Sequence, residues 1–156
     1  GCLAISLAKE LKNSKVTAID VSQKALTVAK KNVKLHNMGN QIEIKNRKIE
    51  NIKNKFDIIV SNPPYINENE YRNLQVEIRN FEPKVALLGG EDGLKFYRLF
   101  AENVERIMNK NSIFICEIGS SQLNSCKSIF SKTNLILKKI SKDLQNIDRT
   151  LTFLKI

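Results

Sequence analysis

Residues 61–65, which read Ser-Asn-Pro-Pro-Tyr, could orient a planar nitrogen for chemistry. They directly follow a β-rich run at 56–60. Two prolines fix the backbone dihedral angles, so the Asn62 side chain and the carbonyl groups beside it are held at a strand end with little entropy to lose. The motif therefore predicts a set of rigid hydrogen-bond acceptors.

The chemistry that such acceptors suit is attack by an NH2 group on an electrophile. An amide or ring-attached NH2 is a poor nucleophile because its lone pair is delocalised. A site that accepts both hydrogens, through the Asn62 side-chain oxygen and the Pro63 carbonyl, favours a geometry in which the lone pair can attack. Tyr65 can lie against the flat face of the same group. The alternative is that the turn is only a rigid connection.

Asp20 is a second candidate, because it ends the apolar run at 16–20. In a doubly wound sheet, an acid at the end of the second strand commonly accepts hydrogen bonds from the ribose of a nucleotide-like cofactor. A cap or loop role fits its position equally well.

Gly1 opens a helix that an upstream glycine loop would normally precede. His36, the only histidine, is better explained as a surface residue than as a base, and we find no metal-binding pattern.

The elements that position these residues alternate between helix and strand. The spacing of Leu3, Leu7 and Leu11 predicts an amphipathic helix over 1–12. A second helix is expected from the cap Ser22 to the stop Gly39. Further strands are predicted around 42–44 and over 56–60, 113–118, 135–140 and 150–156, with helices over 94–107 and 123–130 and an irregular segment at 66–91. This order predicts an α/β fold with a mainly parallel sheet, which binds ligands at the carboxyl ends of its strands.

Composition narrows the class of protein. The 156 residues fit one domain, and no apolar run approaches a membrane span. Three widely spaced cysteines indicate neither a disulfide framework nor a zinc cluster, and we expect reduced thiols in a cytoplasmic protein. The net charge of +10 suits nucleic acid, but 20 of the 26 basic residues are Lys, which equally fits a biased composition.

Asn-Pro-Pro-Tyr resembles the motif of methyltransferases that modify planar nitrogen with S-adenosylmethionine. Further stretches narrow the resemblance to the glutamine methyltransferases of peptide-chain release factors, the HemK family, over essentially the whole chain. These stretches are 1–8, 16–20, 56–66, Glu82-Pro83 with Ala86-Leu87, 89–94, 117–119 with Gln122, and Asp143 with Asp148-Arg149.

The resemblance implies a class I, Rossmann-like methyltransferase domain over 1–156, with a mainly parallel sheet and an antiparallel closing strand. It implies direct in-line methyl transfer from S-adenosyl-L-methionine to the glutamine amide of the Gly-Gly-Gln loop of release factors. Catalytic roles fall to Asn62, Pro63 and Tyr65, and substrate contacts to these residues and Pro64. Cofactor contacts fall to Gly1, Asp20 and Asn62. We expect a cytoplasmic monomer that binds release factors and no membrane.

The sequence departs from the family in two places. Family members carry a strand and the first cofactor-loop glycines before the position of Gly1, and further upstream a helical domain that grips the release factor. We therefore expect that this chain lacks the first strand and is inactive alone. Asn46, Arg47 and Lys48 stand where the family has a small residue, an acid and an aromatic beside the adenine, which weakens the expectation of tight adenine binding.

Two other functions remain open from the sequence. Asn-Pro-Pro-Tyr serves methylation of exocyclic amines in RNA or DNA equally well, and the positive charge would suit such a substrate. The segments at 82–94 and 143–149 favour the protein substrate. The third possibility is an inactive, truncated remnant that binds nothing.

Overall fold

The computed structural model of the protein describes all 156 residues. Two compact units are present, Gly1–Lys53 and Asn54–Ile156, which we call the N-terminal and the C-terminal unit. None of the helices combines the length and the apolar character that a membrane span requires.

The N-terminal unit contains α1 (Cys2–Glu10), β1 (Val16–Asp20), α2 (Gln23–Leu35), β2 (Ile42–Asn46) and a short 3-10 helix (Ile49–Asn51). Strands β1 and β2 are parallel, with Val16 opposite Ile42 and Asp20 opposite Asn46. This register puts the last residue of each strand at the same edge, so Asp20 and Asn46 are neighbours.

Helix α2 begins as its sequence predicts. The Ser22 hydroxyl accepts a hydrogen bond from the Ala25 N–H at 3.3 Å, which satisfies one of the free donors of the first turn. The helix ends at Leu35, earlier than the predicted stop at Gly39. Asn37 takes the left-handed conformation (φ 56°) that turns the chain out of the helix, because an asparagine tolerates this region better than most residues.

The buried face of α1 differs from the predicted one. Ala4, Ile5 and Ala8 are buried, whereas Leu3 and Leu11 are 49% and 41% exposed. The small side chains of the alanines let the helix pack closely on a core that also contains Val33 and Ile42. The spacing of the leucines therefore predicts the helix correctly but indicates the wrong face as the buried one.

The C-terminal unit contains the remaining elements of the chain. They are β3 (Phe56–Ser61), α3 (Glu68–Arg72), α4 (Val76–Phe81), α5 (Lys84–Leu87), α6 (Lys95–Asn103), a 3-10 helix (Glu105–Ile107), β4 (Met108–Glu117), α7 (Leu123–Phe130), β5 (Ile136–Lys142) and β6 (Asp148–Lys155). The strand order is β3-β4-β6-β5, with β3 parallel to β4 and β6 antiparallel to both of its neighbours. The antiparallel closing strand is thus confirmed.

Strands β1 and β3 are each at an edge, because the strands form a two-stranded and a four-stranded sheet instead of one. The interior of the larger sheet is aromatic. Three phenylalanine rings pack against one another there. The ring centroid of Phe114 lies 5.9 Å from that of Phe130 and 6.0 Å from that of Phe153, and the centroids of Phe130 and Phe153 are 4.4 Å apart. Tyr97 on α6 is fully buried. It belongs, with Phe100 and Val104, to the apolar stripe at helical spacing that predicts the helix over 94–107.

The prediction of an irregular segment at 66–91 is wrong. The segment contains the three short helices α3, α4 and α5. Asn67 and Glu70 form a capping box at the start of α3, with hydrogen bonds of 2.8 Å and 3.1 Å. Such short helices bury little apolar surface of their own, and Phe81 on α4 is 85% exposed. Their hydrophobic periodicity is accordingly weak.

Candidate active site

The Asn-Pro-Pro-Tyr loop begins where β3 ends, at Ser61. Asn62 is exposed, Pro63 is buried, and Pro64 and Tyr65 are half-buried. Neither the Asn62 carboxamide nor the Pro63 carbonyl takes part in a hydrogen bond within the chain. Both acceptors therefore have unused hydrogen-bonding capacity, and the exposed Asn62 carboxamide is open to an external donor.

Main-chain hydrogen bonds fix the far end of this loop. The Ile66 N–H donates to the Leu87 carbonyl at 3.0 Å, and the Gly89 N–H donates to the Ile66 carbonyl at 2.8 Å. Ile66 and Leu88 thereby form a short parallel bridge. The segment after the loop therefore returns to hold it, which the sequence did not show.

Two glycines allow this return. A Cβ on Gly89 would lie 2.7 Å from the Pro64 carbonyl oxygen, a distance that real side chains do not tolerate. Gly93 has φ 75°, and a Cβ there would collide with the Tyr65 carbonyl oxygen. Only glycine combines this backbone conformation with so close an approach.

Gln122 joins the loop to the rest of the C-terminal unit. Its side chain is 8% exposed, and its Nε2 donates to the carbonyls of Tyr65 at 2.8 Å and Gly93 at 3.3 Å. Its Oε1 accepts from the Gly119 N–H at 2.9 Å and lies 3.2 Å from the Tyr97 hydroxyl. One buried amide thus fixes the backbone at both Tyr65 and Gly93.

The Tyr65 ring is held at its other end by Glu117, since its hydroxyl donates to Glu117 Oε1 at 3.4 Å. Burial, with the nearby Glu117 carboxylate, raises the pKa of Tyr65. The phenol therefore stays protonated near neutral pH and can only donate to the carboxylate. Tyr65 is a positioned, uncharged flat surface.

A pocket of about 260 Å³ opens beside Tyr65. Its walls include Ser120 and Ser121 from the turn after β4, Gln122, and Arg149 from β6. The Nε of Arg149 donates to Asp143 Oδ2 at 2.9 Å. All of these residues belong to the C-terminal unit.

The N-terminal unit holds the other predicted site residues, Gly1 and Asp20. Asp20 is exposed at the carboxyl end of β1, and its Oδ1 accepts from the Ser22 N–H at 2.7 Å. This bond orients the carboxylate and leaves Oδ2 for another donor. Gly1 is the N-cap of α1, where a Cβ would lie 3.0 Å from the Ala29 Cβ of α2.

Asn46 has a structural role at this strand end. Its Nδ2 donates to the carbonyls of Asp20 at 3.0 Å and Val21 at 3.1 Å. The residue that departs from the family pattern thus fixes the backbone beside the candidate ribose acid. A larger concavity of about 370 Å³ in the same unit lies at the amino ends of β1 and β2, the end where ligands of parallel sheets do not bind.

Comparison with known proteins identifies the family. Residues 1–83, just over half of the chain, match the family model described as "Methyltransferase small domain". The chain belongs to the methyltransferase small domain family. A methyltransferase from Pyrococcus furiosus shares the fold, with a TM-score of 0.72 at 22% identity over 99% of this chain and 69% of that one. The predicted class I methyltransferase fold is therefore confirmed.

Curated relatives of this methyltransferase-family chain are longer than it is. A bifunctional methyltransferase of Rickettsia bellii is 42% identical over 97% of this chain and 28% of that protein. A release factor glutamine methyltransferase of Thermodesulfovibrio yellowstonii is 36% identical over 99% of this chain and 56% of that protein. The chain therefore spans between a quarter and somewhat more than half of the relatives it matches.

The residues that support the loop were the ones that sequence reasoning missed. Glu117, Gly93 and Gln122 stood within the stretches that resemble the family, but no role was predicted for them. A local signal exists for Gln122, a polar residue in the turn between a buried strand and the next helix. Three of its four partners, however, come from segments that the sequence does not place together.

Proposed function

We propose that the protein containing this chain transfers a methyl group from S-adenosylmethionine to the side-chain amide of the glutamine in the Gly-Gly-Gln loop of peptide-chain release factors. The observation that carries the proposal is the pair of unpaired acceptors, the Asn62 carboxamide and the Pro63 carbonyl, on a loop held at both ends. The relative named release factor glutamine methyltransferase, 36% identical, supports the choice of substrate.

The proposed mechanism uses Asn62 and Pro63 to orient the substrate amide. The Asn62 Oδ1 and the Pro63 carbonyl each accept one amide hydrogen, which turns the nitrogen lone pair toward the electrophile. Tyr65, together with Pro64, packs against the flat amide. When bound, S-adenosylmethionine supplies an electrophilic methyl group. Since the loop that carries these acceptors is held in place before the substrate binds, little reorganisation is needed during the transfer.

Asp20 and Gly1 are our proposed cofactor residues, together with Asn62. The fit rests on the Asp20 carboxylate, which is exposed at a strand end with Oδ2 unpaired and can accept ribose hydroxyls. Gly1 places the N-terminus of α1 against α2, and no larger residue would fit without movement of Ala29. We also propose that residues 1–156 work as one methyltransferase domain, in a cytoplasmic monomer.

Replacement of Asn62 by alanine in the full-length protein tests this function. We expect turnover on a purified release factor to fall about 10²-fold or more, since one preorganised polar contact of the transition state is lost. Cofactor affinity, measured by calorimetry, should change less. Asn124 is exposed on α7 and makes no side-chain hydrogen bond, so the Asn124→Ala variant is the matched control. Turnover of Asn62→Ala close to that of the control would remove Asn62 from the mechanism.

The net charge of +10 favours a second candidate, methylation of exocyclic amines in nucleic acid. The same assay decides between the two when it contains release factor in one arm and total RNA in the other. Methyl transfer to RNA alone would replace the proposed substrate. Transfer to neither would support the remnant.

A further inference from the structure

The pocket beside Tyr65 contains a cation whose terminal nitrogens have no partner. Arg149 bonds Asp143 only through Nε, so both terminal nitrogens of the guanidinium remain for other acceptors. Arg149 and Tyr65 both line the pocket. The cation therefore lies next to the residue that we propose packs on the substrate amide.

The guanidinium is mounted rigidly. Asp143 Oδ1 accepts from the N–H groups of Gln145 at 2.9 Å and Ile147 at 3.0 Å, which fixes the carboxylate in the turn before β6. The main chain of Arg149 accepts from the Ile118 N–H at 2.9 Å. An arginine held at both ends loses little side-chain entropy when it binds a ligand.

The pocket presents several hydrogen-bond donors to a ligand. Besides Arg149, its polar lining includes the exposed residues Ser120, Ser121 and Glu70. Glu70, which also lines the pocket, accepts from the Asn67 N–H at 3.1 Å through Oε2, and Glu117 accepts from the Tyr65 hydroxyl through Oε1. The side-chain donors that remain free are the guanidinium and the two hydroxyls, which can bind a ligand with a hydrogen-bond acceptor.

The charge around the pocket favours a neutral acceptor over a phosphate. Arg149 is the one cation of the lining, while the carboxylates of Glu70, Glu117 and Asp143 lie on it or against its residues. This surplus of negative charge would repel a phosphate group. A main-chain carbonyl has the acceptor and lacks the charge, and a volume of about 260 Å³ holds roughly one residue.

We propose that Arg149 binds a main-chain carbonyl of the peptide segment next to the methylated glutamine, in a subsite that Ser120 and Ser121 also line. The inference rests on the proposed release-factor substrate. Arg149 is then a substrate-binding residue that sets the register of the peptide, and it takes no part in the transfer itself.

The test is steady-state methylation of a release factor by the full-length protein carrying Arg149→Lys. Lysine keeps the charge but cannot donate through two fixed terminal nitrogens while it pairs with Asp143. We expect KM for the release factor to rise about tenfold or more, with kcat within about twofold of wild type and cofactor affinity unchanged. Arg98→Lys is the matched control, since Arg98 also pairs with an aspartate, Asp92, on an exposed surface.

A second variant guards against a mere loss of local structure. Asp143→Asn keeps an acceptor for the Gln145 and Ile147 N–H groups but loses the acceptor of Arg149 Nε. Because the guanidinium keeps both terminal nitrogens, the KM of this variant should rise less than that of Arg149→Lys. A KM of Arg149→Lys equal to that of Arg98→Lys, in an enzyme that methylates release factor, would overturn the subsite alone. A wild-type enzyme inactive on release factor would overturn the proposed function with it. Weaker binding of an RNA hairpin by Arg149→Lys would assign the pocket to phosphate instead.

Discussion

Replacement of Gln122 by alanine should destabilise the C-terminal unit far more than a surface substitution. The variant loses all four hydrogen bonds of a side chain that is 8% exposed. Three groups lose their only hydrogen-bond partner, the Gly119 N–H and the carbonyls of Tyr65 and Gly93, while the Tyr97 hydroxyl keeps the Glu117 carbonyl at 3.1 Å. Each unsatisfied buried group costs roughly 1–3 kcal/mol. Because the adjacent pocket admits water, we expect a loss of about 2–4 kcal/mol in the free energy of unfolding.

Urea unfolding followed by far-UV circular dichroism measures this loss, since the chain has no tryptophan to report by fluorescence. Gln145→Ala is the control, because Gln145 is exposed and its side chain makes no hydrogen bond. A difference between the two variants below about 0.5 kcal/mol, the spread of ordinary surface substitutions, would refute the reasoning.

The Gln122→Glu variant adds a check on the hydrogen-bond directions. Glutamate keeps an acceptor for Gly119 but turns the donor toward Tyr65 into a second acceptor. Burial among carbonyl oxygens should raise the pKa of the introduced carboxyl, and a group with a raised folded pKa loses its stabilising contribution as the pH rises. The stability deficit should therefore be larger at pH 8 than at pH 5. A deficit independent of pH would mean that the amide nitrogen is not the donor to Tyr65.

Three further outcomes are expected. Asp20→Ala should weaken S-adenosylmethionine at least tenfold in calorimetry, because a charge-assisted hydrogen bond is worth roughly 1.5–3 kcal/mol; unchanged affinity would leave Asp20 a loop residue. Gly93→Ala should lower the free energy of unfolding by about 2 kcal/mol or more, since φ is 75° and a Cβ has no room. At pH 8 a thiol reagent should modify exposed Cys2 alone, because burial raises the pKa of Cys126 to about 12 and that of Cys116 as well; rapid reaction of a second thiol would contradict their burial.

A control accompanies the glycine prediction. A Cβ on Gly39 would meet nothing within 4 Å, so Gly39→Ala should change the free energy of unfolding by no more than about 0.5 kcal/mol. An equal loss in both variants would show that the backbone at Gly93 adapts, and that the close approach to Tyr65 is not required.

The sequence by itself determined the features that depend on near neighbours in the chain. Prolines fix their own dihedral angles, so the rigid turn after β3 is encoded in five residues. Ser22 caps α2 because its hydroxyl reaches an N–H three residues away. The apolar residues of α6 recur with the 3.6-residue period of a helix because they line its buried face, which includes Tyr97 and Phe100. Each of these effects acts within about one helical turn.

Tertiary structure decided which face of α1 is buried, that 66–91 forms three helices, and what holds the candidate site. The leucine stripe of α1 was misleading because the face with Ala4 and Ala8 packs closer to its neighbours. Three of the four groups that Gln122 bonds lie 25, 29 and 57 residues away in the chain. Hydrogen bonds over such separations depend on where the folded chain returns, and neither periodicity nor capping carries that information. The sequence could therefore present Asn62 and Tyr65, but only the fold could show why they stay in place.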